Sequence, residues 1–63
     1  MASKYLRSLL GRTVEYYGQP CTVEHVRTTW RRIMPPVDEV ALVPVAHPTL
    51  EPLWVNMVDV TLL

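Results

Sequence analysis

No lysine or arginine follows Arg32, although the chain runs to Leu63. Only Glu15 and Glu24 oppose the six cations of residues 1–32, and Asp38, Glu39, Glu51 and Asp59 stand alone beyond them. The two halves are therefore +4 and −4, and the formal net charge of zero hides a dipolar sequence. The second scarcity is cysteine. Cys21 has no partner, which excludes an internal disulfide; a small secreted domain usually depends on such staples, so a cytoplasmic setting is expected. Glycine is scarce too: Gly11 and Gly18 cannot build a glycine-rich phosphate loop. Phenylalanine is absent, which leaves the bulk of any core to Val, Leu, three Tyr and two Trp. No apolar run approaches the roughly 20 residues of a membrane span. Arg7 and Ser8 interrupt the leucines of the first turns, so these do not form a signal sequence.

What is present makes a single domain over residues 1–63. A chain of this size buries only about 60% of its unfolded surface, so its core must be dense or shared with another subunit. Hydrophobic residues make up 49% of it, enough to drive folding.

The opening residues 1–10 are expected to hold a short helix. Ser3 can cap it, Leu6, Leu9 and Leu10 follow at i, i+3 and i+4, and Gly11 suits the left-handed residue past its end. From Arg12 the period changes to two. Thr13–Tyr17 alternates, with Val14 and Tyr16 on one face and Thr13, Glu15 and Tyr17 on the other. Gly18-Gln19-Pro20 is the expected turn of a hairpin. Cys21 and Val23 resume the alternation, and its slip to Val26 predicts a bulge near Glu24-His25. The second strand can extend through Val26, Thr28, Trp30 and Arg32, with Pro35-Pro36 as its stop. Val37–Val45 is a third strand and Ala46–Pro52 a stiff loop. Leu53–Val55 is a short strand, Asn56–Asp59 a tight turn and Val60–Leu63 a closing strand. This order predicts a mainly β protein: a small five-stranded barrel over 11–63, closed to remove exposed edges.

The residues that carry this order are Gly11–Gly18, Cys21–Val23, Val26, Val40–Val45, Trp54-Val55 and Asp59–Leu63. Their pattern resembles SH3-like small barrels, particularly short open reading frames of phages and other mobile elements. The resemblance implies a fold and little about activity. The acidic first loop and paired aromatic groove of ligand-binding SH3 domains are missing, so binding of proline-rich peptides is not expected.

Catalytic chemistry finds few footholds. Cys21 and His25, four apart on a strand, stand about 13 Å from each other, too far to share zinc, and His47 sits beside Pro48 in the loop. Cys21 has no neighbouring base to make it a nucleophile. Asp38 and Glu39 are adjacent, so on a strand they point to opposite faces and cannot act as an acid/base pair. No catalytic residue, metal, cofactor or small-molecule substrate is expected, and binding is the expected function.

The candidate surface is Arg27, Trp30, Arg31 and Arg32, with Tyr17 as an outward aromatic and Lys4, Arg7 and Arg12 as secondary cations. Trp and Arg dominate protein–protein hot spots, which supports contact with a protein partner or self-association. Interleaved cations and aromatics also grip phosphates and stack bases, so a nucleic-acid-binding barrel is the alternative; a pI near 6.7 speaks against it. The structural alternative is that Trp30 caps one barrel end while arginine stems cover apolar surface. Trp54 is expected in the core or half-buried.

Overall fold

The computed structural model describes residues 3–63. Its first element, α1 (Lys4–Arg7), is capped by Ser3, whose Oγ accepts a hydrogen bond from the Leu6 N–H at 3.1 Å. The helix is shorter than expected. After Arg7 the chain tightens into i→i+3 bonds, Leu9 N–H to the Leu6 carbonyl and Leu10 N–H to that of Arg7. Gly11 then ends the turn at φ +80°. Its N–H bonds the Val23 carbonyl at 2.8 Å, and the Val23 N–H bonds that of Arg12 at 3.0 Å. Segment 8–12 is thus tied to the sheet, and Leu6 and Leu9 are buried.

Five antiparallel strands follow: β1 (Thr13–Tyr16), β2 (Gln19–Arg31), β3 (Met34–Pro44), β4 (Leu53–Asn56) and β5 (Val60–Leu62). They form one sheet in the order β4-β3-β2-β1-β5. The protein is therefore mainly β with little helix, as its alternation predicts. The sheet is not closed by hydrogen bonds: β4 and β5 are its two edges among the described residues.

The first hairpin turns one residue earlier than expected. Tyr16 pairs with Gln19, and the two residues between them, Tyr17 at φ 48° and Gly18 at φ 81°, are both left-handed. Two positive φ values match the right-handed twist of a tight hairpin. Pro20 therefore lies near the start of β2, where a missing N–H is tolerated. The predicted bulge is present, since Val23 faces Leu42 while His25 faces Ala41, leaving one extra residue on β2.

A second irregularity changes the reading of the prolines. Thr29 faces Val37 and Arg31 faces Met34, so β3 carries the extra residue within Met34–Val37. Pro35 and Pro36 do not stop the ladder; they occupy the bulge, where a residue without an N–H fits. The turn itself is Arg32-Ile33. As a result β2 and β3 run on as a two-stranded ribbon beyond the core, because β4 joins β3 only over Glu39–Leu42. The molecule is 38 Å long and 19 Å across.

The core gathers Leu6, Leu9, Val14, Cys21, Val23, Val40, Leu42 and Val55, with Tyr16, Val26, Met57 and Val60 at its margin. Val40–Val43 are all buried, which explains the nearly continuous hydrophobicity of β3. The expected tight turn after β4 is a single 3-10 turn (Met57–Asp59), capped by Asn56 Oδ1 accepting from the Val58 N–H at 3.0 Å. No helix among the described residues is long and apolar enough to cross a membrane.

Candidate functional site

Past the Glu24-His25 bulge, alternation sends His25, Arg27, Thr29 and Arg31 to one face of the ribbon and Val26, Thr28 and Trp30 to the other. The register brings β3 and β4 residues into the first group: Arg27 faces Glu39, and Ala41 lies between His25 and Trp54. Arg27 Nε donates to Glu39 Oε1 at 2.8 Å while its guanidinium carbon sits 4.0 Å above the Trp54 ring. The His25 ring stacks on the same indole at 6.3 Å between centroids. Thr29 Oγ1 donates to the same carboxylate oxygen at 2.7 Å. The Thr29 and Arg27 hydrogen bonds, helped by the nearby Arg27 and Arg31 charges, hold the Glu39 carboxyl below the usual range against the opposing effect of burial. This face is a mixed cluster whose first arginine already has a carboxylate and an aromatic partner.

Trp30 stands apart from it. It projects from the opposite face and is 68% exposed, so it does not cap the core. Next to it the turn presents Arg32 and Ile33, the latter 96% exposed, followed by the exposed Met34, Pro35 and Pro36. On the Trp30 face Thr28 Oγ1 donates to Asp38 at 2.8 Å. The cross-strand bonds at Arg27, Thr28 and Thr29 thus brace both faces of the ribbon behind its apolar tip.

The predicted site residues are therefore divided. Arg31 and Arg32 lie near the tip, Arg31 on the face opposite Trp30; Arg27 is turned to the Trp54 cluster, and Tyr17 is at the other end of β2. Lys4 and Arg7 are exposed on α1, and Arg12 is exposed before β1. The partners His25, Glu39 and Trp54 were not anticipated. The alternation beyond the bulge separates His25, Arg27 and Arg31 from Trp30 on sequence grounds, but Trp54 joins them only through the β3–β4 register. Ile33 and Met34 were missed because Pro35-Pro36 masked the hairpin turn that precedes them.

At the far end of the β2–β3 pair is an apolar cleft of about 450 Å³. Tyr16, Tyr17, Leu50 and Leu53 contribute to its walls, Cys21 lies in it as a buried thiol, and Glu51 is its one charged lining residue. The Tyr16 and Tyr17 rings meet edge to face at 4.6 Å. Burial raises the Tyr16 hydroxyl above its ordinary value, helped by Tyr17 and Asp59, and burial also pushes the Cys21 thiol up. A protonated thiol in apolar surroundings is a poor nucleophile. His25 and His47 are exposed, and among the described residues no three His, Cys, Asp or Glu side chains are grouped to hold a metal ion. Compared with known proteins, the chain matches no family model, no curated protein and no solved structure.

Proposed function

We propose that the protein is a small SH3-like barrel that acts as a non-catalytic interaction module, with the tip of the β2–β3 ribbon as its protein-binding element. The strand order and the 3-10 turn before the last strand support the barrel. The observation that carries the function is the exposed apolar side chains at the end of a ribbon that extends beyond the core: Trp30 on one face, Met34 beside Arg31 on the other, and Ile33 in the turn between them. Each of these exposed apolar side chains forgoes about 25 cal/mol for every Å² that contact would bury, and a partner that wraps the end of the ribbon would bury all three. Trp30 beside Arg31 and Arg32 adds the residue types that anchor hot spots. In a mobile element such a module would serve as an accessory or inhibitor of another protein.

Nucleic-acid binding has less support. Arg27 is engaged by Glu39, and Asp38 lies on the face that bears Trp30. The test is affinity capture from cell extract with the wild-type chain and a Trp30→Ser/Ile33→Asp variant, beside a salt titration with oligonucleotides. Capture that the variant loses is the expected result. Equal capture by both chains, or oligonucleotide binding that falls steeply with salt as counterions are released, would refute the assignment.

A further inference from the structure

We infer that the ribbon tip and the apolar cleft are the two halves of one contact, through which the chain docks head to tail on a second copy of itself. The inference rests on the tip being a binding element and names its partner. Strand β2 joins the two surfaces: it begins at Gln19, on the rim of the cleft, and ends at Arg31, beside the tip. The molecule is 38 Å long and the two surfaces lie at opposite ends of the β2–β3 pair, so a tip cannot reach the cleft of its own chain. Chemistry matches them. Ile33 and Met34 are apolar and exposed, with Arg31 and Arg32 immediately before them; the cleft is apolar, and its one charged lining residue is the anion Glu51. If Ile33 seats among Tyr17, Leu50 and Leu53, the adjacent Arg32 brings a cation to a cleft whose one charged lining residue is the anion Glu51, and such an opposite-charge pair would fix orientation. The cleft volume falls in the range that encloses compact ligands.

Tyr17 points the same way. Its positive φ is the one that the tight hairpin turn requires. Here it holds a largely exposed aromatic ring as a wall of the cleft. A contact between two different patches is heterologous, so each chain offers one tip and one cleft and association continues beyond a dimer.

Sedimentation velocity from micromolar to millimolar protein tests this. The wild-type mass should rise with concentration past that of a dimer. Ile33→Asp removes the apolar tip and Leu50→Arg blocks the cleft with a like charge for Arg32; each chain alone should stay monomeric. Both positions are exposed, and circular dichroism verifies that the variants keep the fold. Mixed in equal amounts, the two should form a dimer and stop there, because the first keeps its cleft and the second its tip. Glu51→Arg should weaken assembly, and mixing it with Arg32→Glu should restore it. A wild type that remains monomeric throughout, single variants that still assemble, or a mixture that stays monomeric would each overturn the head-to-tail contact. If a monomeric wild type still captures a foreign protein through Ile33, or a small apolar ligand fills the cleft, the contact is refuted and the interaction tip stands. Monomer without capture refutes both.

Discussion

Leu9 and Leu10 are neighbours in sequence and opposites in the structure, and replacing each with alanine tests whether the opening segment belongs to the core. Leu9 is 1% exposed and packs in the same cluster as Leu6, Val14 and Val55, whereas Leu10 is 47% exposed. Removing a buried leucine side chain beyond Cβ costs about 2–5 kcal/mol through lost transfer energy and the cavity left behind. The same change at Leu10 should stay within about 1 kcal/mol. A domain of this length has roughly 3–9 kcal/mol in total, at 0.05–0.15 kcal/mol per residue. Leu9→Ala therefore removes a large fraction of the stability. With a urea m-value of about 1 kcal/mol per M, the midpoint should fall by about 2 M or more, and thermal melting by roughly 10 °C or more. Urea unfolding followed by tryptophan fluorescence and by far-ultraviolet circular dichroism measures both variants. Unfolding free energies for Leu9→Ala and Leu10→Ala that agree within about 0.5 kcal/mol would mean that residues 3–11 are an appendage and that the strands alone make the core.

The Glu39 cluster predicts a pH dependence. Its carboxyl is lowered from the ordinary 4.5 in the folded state, so its contribution is complete above that value and is lost as pH falls toward the folded value. Between pH 7 and pH 3 the wild type should lose more stability to urea than Glu39→Gln, in which that titration is gone; parallel losses would refute the coupling. At the first hairpin, Gly18→Ala should cost about 1 kcal/mol, because φ is +81° and only glycine adopts it freely. A Cβ there meets nothing within 4 Å, so the backbone alone sets that cost, and an unchanged urea midpoint would contradict the left-handed turn.

Much of the sheet was legible because its signals are local. Strict alternation marked β1, and the slip from Val23 to Val26 located the β2 bulge to the residue pair. Asn56 and Asp59 bracketed the last turn, and the apolar run of β3 marked the third strand. The failures share one cause: the pairing register depends on residues far apart in sequence. Pro35-Pro36 marks a stop if only its own strand is considered, yet the ladder accommodates it as a bulge once β2 supplies the opposite strand. The turn at Tyr17-Gly18 was displaced for a related reason, since Tyr rarely accepts positive φ and Pro20 drew the turn toward itself. At the candidate site, the cations and Trp30 were visible as residue types, but their separation onto opposite faces follows from the bulge. The engagement of Arg27 by Glu39 and Trp54 needed three strands at once.

The bulge at Pro35-Pro36 also governs what kind of neighbour the ribbon can accept. Beyond Glu39 the outer edge of β3 has no strand beside it, and a bare edge invites another chain to extend the sheet. Neither proline has an amide donor to offer a new strand at that edge, and the extra residue disrupts the even spacing such a strand would need. Recognition at the tip is thereby steered away from backbone ladders, which are indifferent to sequence, and toward the side chains of Trp30, Ile33 and Met34. An apolar projection that would otherwise be an aggregation hazard is left selective about what it touches.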